Sequence, residues 1–219
     1  MSKLDIKKID LPYYFKPVRM VDLTQLEMSN VSAYSITPWK EAISVSRTIL
    51  NFFGANKQLK TKSGDELPII TDATANVGGN TISFFLSGFK KVNAIEIDEG
   101  AYKMLKNNLT VYSFPIDQVL NIDYVSIYKD VEQDVVFLDP PWGGPDYIKS
   151  PCLDLYLSDI NIIDICFDLI SQNKASLIVI KVPINYNLQG LFNKIPTRRF
   201  LTHKIYRGRI HSYSIIYCW

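Results

Sequence analysis

The sequence has few of the residues that build metal centres and histidine-based catalytic sites. Its 219 residues include only two histidines, His203 and His211, and three cysteines. The cysteines, Cys152, Cys166 and Cys218, show no metal-ligand spacing and are odd in number. A zinc site and a histidine-based triad are therefore not expected, and we predict a protein that uses no metal.

Other absences narrow the class of protein. No apolar run reaches transmembrane length, and the first ten residues are too polar and charged for a signal peptide. There is no internal repeat, low-complexity tract or heptad pattern. The net charge is only +2, so any nucleic-acid surface must be local. We expect a monomeric intracellular protein of the nucleus or cytoplasm, neither secreted nor bound to a membrane.

One stretch stands out, the run VVFLDPPWGGPDY at residues 135–147. Four apolar residues predict a buried parallel strand, and the prolines after Asp139 predict a stiff turn. Open α/β sheets bind ligands at this end of a strand. Asp139 and the Pro140 carbonyl can accept N–H bonds, and Trp142 offers a face for stacking. This combination suits a flat ring that bears an amino group, and it predicts an amino-group methyltransferase acting on a nucleobase.

A second pattern predicts a nucleoside site. A strand over residues 67–72 ends in an acid and leads into a small-residue turn that contains Gly78. The next strand, residues 91–98, also ends in acids, and Glu96 lies about 18 residues after Gly78. An acid at roughly that distance, ~20 residues, commonly holds a ribose diol. We therefore predict that Glu96 binds ribose and that Asp98 caps the following helix.

The remaining elements predict the fold. Predicted strands cover residues 67–72, 91–98, 119–123, 135–138 and 175–181, and an antiparallel pair covers residues 200–206 and 209–217. Strands that alternate with helices indicate a parallel sheet, and a closing hairpin is typical of class I methyltransferases. We predict an α/β, Rossmann-like class I methyltransferase domain over residues 34–219. Its sheet is mostly parallel and seven-stranded, with helices on both faces. Asp123, which ends the third strand, is a candidate for binding an adenine amino group.

The amino-terminal part is less regular. Residues 1–33 are predicted to form an extension that packs on the catalytic domain. The extension is either a surface arm or a part of the substrate enclosure, with Lys16 and Arg19 reaching phosphates. After it, Thr37 is the predicted N-cap of a helix, Pro38 its first residue and Gly54 its end.

The run PPWGGPDY at residues 140–147 resembles the signature of the RNA cap guanine-N2 methyltransferases, the trimethylguanosine synthases. The similarity spans roughly residues 13–219. It is supported by SITP at residues 35–38, DA at 72–73, VGGNT at 77–81, IEID at 95–98 and NN at 107–108.

The resemblance implies S-adenosylmethionine as donor, S-adenosylhomocysteine as its product and a 7-methylguanosine-capped RNA as acceptor. Its product would be a 2,7-dimethylguanosine or 2,2,7-trimethylguanosine cap. The expected donor-binding residues are Thr37, Pro38, Asp72, Ala73, Gly78, Asn80, Thr81, Glu96, Asp123 and Asp139. The expected acceptor-binding residues are Lys16, Arg19, Trp142, Tyr147, Asn185 and Arg209. Asp139, Pro140 and Trp142 are the expected catalytic residues, with Trp142 stacked on the base and Tyr147 facing the cap phosphates.

The chain departs from the family pattern at three positions. Asp139 stands where the family usually has Ser, and Ile184 stands where it has an Arg that meets the cap phosphates. Asn76 replaces the first glycine of the donor loop, which is tolerable because Asn enters left-handed conformations readily. Asp139 leaves open an adenine-N6 or guanine-N2 methyltransferase acting on tRNA, rRNA or DNA. A non-catalytic cap- or RNA-binding subunit is a second alternative.

Overall fold

The computed structural model describes residues 10–56, 59–195, 199–207 and 210–218, with the last two ranges described by their backbone. Its helices are α1 (Leu11–Tyr14), α2 (Asn30–Ser35), α3 (Trp39–Ala55), α4 (Gly79–Ser87), α5 (Glu99–Val111), α6 (Tyr124–Ile127), α7 (Ile162–Ser171) and α8 (Leu188–Lys194). Its strands are β1 (Ile70–Asp72), β2 (Val92–Ile95), β3 (Val119–Leu120), β4 (Val135–Leu138), β5 (Tyr156–Leu157), β6 (Ile160–Asn161), β7 (Leu177–Pro183), β8 (Arg199–Arg207) and β9 (Ile210–Cys218).

The main sheet has the order β3-β2-β1-β4-β7-β9-β8. Five of these strands are parallel to one another, and β8 and β9 add an antiparallel hairpin beside β7. The predicted mostly parallel sheet with a closing hairpin is confirmed, with five strands in its parallel part. A separate two-stranded hairpin, β5-β6, was not predicted.

Both faces of the sheet are buried. Side chains along a strand alternate between the two faces, so each strand contributes to the packing on both. In β4, Val136 and Leu138 pack with α7 in one hydrophobic cluster. Val135 and Phe137 pack on the opposite face with α3 and α4, where the rings of Phe137 and Phe84 meet edge to face at 5.4 Å. Helices therefore cover both faces, as predicted, and the site can form only at the strand ends.

Several predicted boundaries are wrong. Pro38, not Thr37, is the N-cap of α3, and no side chain caps this helix start. The helix passes through Gly54 and ends at Ala55. Each of the first three strands is shorter than its apolar pattern predicts. Three acids of the predicted strand ends, Glu96, Asp98 and Asp123, lie beyond the strands, because their side chains accept backbone N–H groups there.

The amino-terminal segment packs on the domain through Leu11, Phe15 and Leu26, which are buried beside Leu105 and Leu109 of α5. The domain boundary at residue 33 stays a prediction. One of the polar ties between this segment and the domain is the buried side chain of Asn108.

The Asn108 side chain makes three hydrogen bonds to the backbone and also accepts a longer one, 3.3 Å, from Asn107 Nδ2. Its Oδ1 accepts from the Glu27 N–H at 2.7 Å, and its Nδ2 donates to the carbonyls of Glu27 and Val77 at 2.8 Å each. Val77 precedes the glycines of the predicted donor turn. A single amide on α5 therefore fixes the amino-terminal segment and that turn relative to each other.

We predict that Asn108→Ala destabilises the protein by about 3 kcal/mol or more, because it removes three buried hydrogen bonds of ~1 kcal/mol each and opens a small cavity. The matched control is Asn107→Ala, which removes an exposed bond to the Gln25 carbonyl and the long bond to Asn108 Oδ1 but leaves the three backbone bonds of Asn108 in place. The control should cost less than about 1 kcal/mol. Urea unfolding measures both, and equal losses for the two variants would refute the tie.

Candidate active site

Three charged side chains meet where neighbouring strands of the sheet end. In the β1–β4 pair Asp72 lies opposite Phe137, and in the β4–β7 pair Leu138 lies opposite Ile180. Asp139 and Lys181, one residue further along β4 and β7, are therefore neighbours. The strand order reverses between β1 and β4, which is the switch point where doubly wound sheets bind ligands.

Asp139 and Lys181 form a buried ion pair. The Lys181 Nζ atom lies 2.6 Å from Asp139 Oδ2, and the two side chains are only 8% and 13% exposed, respectively. The same Nζ atom lies 5.5 Å from the ring centroid of Trp142, within the range of a cation–π contact. The Asp139 backbone N–H donates to Thr74 Oγ1 at 2.9 Å. Lys181 thus joins the carboxylate and the aromatic ring of the predicted acceptor site.

The protonation of Asp139 depends on two opposing effects. Burial disfavours the carboxylate, whereas the Lys181 ammonium favours it. Burial is the larger effect, so the pKa of Asp139 lies above its usual value. Without the ammonium, this carboxyl group would hold its proton to a still higher pH.

Asp72 is a fully buried carboxyl group beside Asp139. Its Oδ2 accepts from Thr81 Oγ1 at 2.6 Å. Among the described residues, its Oδ1 is buried without a hydrogen-bond partner. Burial raises the pKa of Asp72 to about 7, and the nearby charge of Asp139 adds to the rise. A ligand cation that reached Oδ1 would relieve both penalties.

The turn after β1 approaches the segment before α3 closely. Gly78 is left-handed, with φ of 95°, which favours glycine. A Cβ on Gly79 would lie 2.5 Å from Ile36 Cγ1. The segment that carries Thr37 and Pro38 is therefore held against the start of α4, and the predicted donor-binding role of these two residues stays a prediction. Within the described chain, Thr37 Oγ1 is buried and unpaired.

Asn76 connects this turn to the amino-terminal segment. Its φ is 49°, which confirms the left-handed conformation predicted for the residue that replaces glycine. Its Oδ1 accepts from Ser32 Oγ at 2.8 Å, and its Nδ2 donates to Ser35 Oγ at 2.7 Å. Its backbone N–H donates to Glu96 Oε2 at 2.7 Å. The side chain of Asn76 therefore anchors α2 to the donor turn, which a glycine at this position could not do.

Glu96 is held in a fixed orientation by the backbone. Its Oε2 accepts from the N–H of Asn76 and its Oε1 accepts from the N–H of Asp98 at 2.8 Å. Burial raises the pKa of Glu96 despite these bonds. Asp98 accepts from the Ala101 N–H, which confirms its predicted role as a helix cap.

Asp123 has a structural role in this structure. It is the N-cap of α6, where its Oδ1 accepts from the Val125 N–H at 2.9 Å. Its Oδ2 accepts from Ser158 Oγ at 2.6 Å. A bond to an adenine amino group would have to use a remaining lone pair of these oxygens, and this role stays a prediction.

The predicted acceptor residues Trp142 and Tyr147 lie together. Their rings meet edge to face at a centroid distance of 5.1 Å. Asn185, after β7, donates through Nδ2 to the carbonyls of Tyr147 and Ser150 at 2.8 and 2.7 Å. Asn185 thus positions the loop that carries Tyr147. Within the described residues, Trp142 Nε1 and Asn185 Oδ1 are buried without partners.

The structure does not bring the predicted phosphate-binding residues together in one place. Lys16 lies in a basic groove of about 360 Å³, lined also by Trp39, Lys40 and Arg47. The ammonium groups of Lys16 and Lys40 lie 5.8 and 5.7 Å from the Trp39 ring centroid. Arg19 is exposed, and Arg209 lies outside the described residues.

The residues at the β1 and β2 ends fit a bound S-adenosylmethionine. Asp72 Oδ1, which has no hydrogen-bond partner among the described residues, suits the ammonium group of the donor. The Thr37 hydroxyl, which also lacks a partner there, offers a further polar contact. The preorganised Glu96 suits a ribose diol, and the glycine turn lets backbone N–H groups approach closely.

The sequence interpretation missed Lys181, which it treated as the last residue of an apolar strand. It also missed the bonds that Asn76 makes with Ser32 and Ser35. For Lys181 a signal existed, since a lysine that ends a buried strand requires a partner. Choosing Asp139 as that partner requires the β4–β7 register, which the sequence does not specify.

Comparison with solved structures agrees with this fold. The N-terminal domain of human METTL16 in complex with SAH superposes with a TM-score of 0.55 at 11% identity, covering 84% of this chain and 72% of that chain. A putative RNA methyltransferase from Pyrococcus horikoshii superposes with a TM-score of 0.53 at 18% identity, covering 97% and 93% of the two chains. Fold and site together define a class I S-adenosylmethionine-dependent methyltransferase.

The sequence comparisons are more specific. The family model for RNA cap guanine-N2 methyltransferases matches residues 67–215. The trimethylguanosine synthase of Schizosaccharomyces pombe is 28% identical over 189 residues, covering 81% of this chain and 72% of the yeast protein. The chain belongs to the RNA cap guanine-N2 methyltransferase family, as its signature run predicts.

The structure adds two findings about absent features. Among the described residues, no group of three or more His, Cys, Asp and Glu side chains could hold a metal ion. In the same part of the chain, no helix has the length and apolar character needed to cross a membrane.

We predict that Asp72→Asn stabilises the protein at pH 8 more than at pH 5. A carboxyl group with a folded pKa of about 7 and an ordinary value of 3.8 stabilises the fold while protonated and loses that contribution as pH rises towards 7. An amide has no charge to bury at any pH. Thermal unfolding should show a gain in Tm that grows between pH 5 and 8, and a pH-independent gain would contradict the buried-acid account.

Proposed function

We propose that this protein transfers a methyl group from S-adenosylmethionine to the exocyclic N2 of a 7-methylguanosine RNA cap. The first product is a 2,7-dimethylguanosine cap, and a second round gives 2,2,7-trimethylguanosine. The observation that carries the proposal is the joining of Asp139 and Trp142 by one buried ammonium, 2.6 Å from the carboxylate and 5.5 Å from the ring centroid. This cluster lies beside the carboxyl group of Asp72 at the end of β1.

The donor would be held by residues from three turns. Glu96 would accept the ribose hydroxyls, and Asp123 would approach the adenine. The methionine part would be surrounded by Asp72, Ala73, Gly78, Asn80 and Thr81, with Thr37 and Pro38 closing over it. When bound, S-adenosylmethionine supplies an electrophilic methyl group that passes to the amine nitrogen, with release of one proton to water and formation of S-adenosylhomocysteine.

Trp142 would bind the base by stacking. A 7-methylguanine ring is a cation, and a desolvated cation–π contact contributes on the order of 2 kcal/mol. That corresponds to roughly a 30-fold preference over uncharged guanine. The chain would therefore act on caps that already carry the N7 methyl group.

Asp139 and the Pro140 carbonyl would orient the exocyclic amine by accepting its two N–H bonds. An aryl amine is a weak nucleophile because its lone pair is delocalised into the ring. Positioning must therefore supply much of the rate, and well-oriented reactants gain about 7–11 kcal/mol. Asp139 would also stabilise the positive charge that develops on nitrogen.

The phosphates would be held without the arginine that the family usually has. Tyr147 would face the cap phosphates from the loop that Asn185 holds. Lys16 lies in a groove that combines three basic residues with one aromatic ring, a composition suited to a nucleic-acid backbone. Arg19 and Arg209 are further candidates for phosphate contacts.

The test is mass spectrometry of cap nucleotides after incubation with enzyme and S-adenosylmethionine. We expect a 7-methylguanosine cap to gain one methyl group, or two after a longer reaction, on N2. A guanosine cap without the N7 methyl group is the control, and it should react at least about 30-fold more slowly. Methylation of adenine, or equal rates on the two caps, would contradict the proposal.

Trp142→Ala tests the stacking step in the same assay. We expect cap binding to collapse while binding of S-adenosylmethionine, measured by calorimetry, is retained. Undiminished methylation of capped RNA by this variant would refute stacking on Trp142.

Asp139 supports one alternative function, since an acid before two prolines and an aromatic is common in methyltransferases for adenine N6 and for guanine N2 of other RNAs. Competition by free 7-methylguanosine diphosphate separates the candidates. A cap enzyme is inhibited by this nucleotide, whereas an enzyme for internal bases is not.

A further inference from the structure

We propose that Lys181 is a positioning residue for the acceptor amine, acting through Asp139 by binding its Oδ2 and leaving Oδ1 for the substrate. The inference rests on the proposed function, because it assigns the part of the site that receives the amine. Nothing in the family pattern of the motif at residues 139–147 involves Lys181, which lies on a different strand.

The geometry of the pair supports this division of the carboxylate. Asp139 Oδ2 lies 2.6 Å from the Lys181 ammonium. No residue in the described part of the chain donates a hydrogen bond to Oδ1. The Asp139 backbone is fixed separately by its N–H bond to Thr74. The carboxylate therefore has one oxygen bound to Lys181 and one oxygen free for a ligand. The hydrogen bond to Thr74 holds the backbone that carries it.

The charges around Asp139 explain why a cation is needed. Asp139 is 13% exposed, and its charge acts on Asp72 at the end of the neighbouring strand. The negative charge of Glu96 also raises the pKa of Asp72. These two groups are acids, and among the described residues Lys181 is the cation that compensates Asp139. Removing one partner of a buried ion pair leaves an uncompensated charge, and the acid then takes up a proton.

The protonation state decides what Asp139 can do. An ionised carboxylate only accepts hydrogen bonds, whereas a protonated acid also donates one. The exocyclic amine of guanine presents N–H groups and needs acceptors in the plane of the ring. A protonated Asp139 would therefore hold the amine poorly.

The need for Lys181 should depend on the residue at position 139. The family usually has Ser there, whereas this chain has Asp. A serine hydroxyl is neutral and accepts a hydrogen bond without any counter-ion. The lysine should therefore matter when Asp139 is present and should be nearly dispensable when serine replaces it. This dependence separates a positioning role from general packing.

The experiment is a double-mutant cycle on capped RNA. It compares the wild type, Lys181→Met, Asp139→Ser and the double variant. Methionine keeps the length of lysine without its charge. We expect Lys181→Met to lower kcat on the acid limb of its pH profile at least tenfold in the wild-type background and less than threefold in the Asp139→Ser background.

A matched control is Lys149→Met. Lys149 also pairs with an aspartate, Asp146, at 2.7 Å and ends the short 3-10 helix Pro145–Lys149, which carries Tyr147. That pair is exposed, and such pairs contribute little. This variant should retain wild-type kcat at every pH.

The pH profile gives a readout that packing alone would not move. Loss of the ammonium raises the pKa of Asp139, so the acid limb of kcat should shift to higher pH in Lys181→Met and activity should recover as the pH is raised further. A second readout needs no turnover. Binding of 7-methylguanosine diphosphate, followed by tryptophan fluorescence, should show the same shift in Lys181→Met and no shift in the double variant.

Two results would overturn the inference. One is an equal loss from Lys181→Met in both backgrounds, which would mean that Lys181 acts independently of Asp139. The other is a gain in cap affinity in Lys181→Met, which would mean that the ammonium competes with the cationic base for Trp142. If Lys181→Met does not fold, the two variants that carry Ser at position 139 still decide, because a drop of more than threefold between them contradicts the proposal. Failure of the proposed function would differ, since the wild type itself would then be inactive on caps.

Discussion

The site depends on a buried ion pair between Asp139 and Lys181. Taking two charges out of water is unfavourable, and good geometry must offset that penalty. Here the register of β4 against β7 places the two residues side by side, and Trp142 adds a ring against the ammonium. The aromatic ring, the acid and the cation consequently form one unit. The acceptor site is thus built by strand register, and the motif after β4 supplies only part of it.

The donor side follows a different principle, because its central acid has no cation. Asp72 is fully buried with one oxygen unpaired within the described chain, and burial raises its pKa to about 7. Such a group weakens the empty protein and favours a ligand that brings a positive charge. Glu96 and Asn76 are arranged in advance by backbone and side-chain bonds, so little ordering remains for ligand binding. Stability and function are opposed at Asp72, whereas at Glu96 two backbone hydrogen bonds offset part of the burial penalty.

The sequence predicts the class of fold because hydrophobic runs and turn residues carry that information locally. It also predicts the family, through a run of eight residues. It does not predict the α3 cap, since Pro38 can occupy either of two adjacent positions. The role of Lys181 is not predicted, because it depends on an ion pair with a residue 42 positions away in sequence. Asp123 shows the reverse case, where a plausible ligand residue also has a complete local role as a helix cap.

The most direct measurement is a crystal structure of the enzyme with S-adenosylhomocysteine and 7-methylguanosine diphosphate. The account predicts a base parallel to the Trp142 indole, with its exocyclic amine within hydrogen-bond distance of Asp139 Oδ1 and directed at the donor sulfur. Lys181 should remain on Asp139 Oδ2. A base bound away from Trp142, or an Asp139 that has left Lys181 to face solvent, would contradict it.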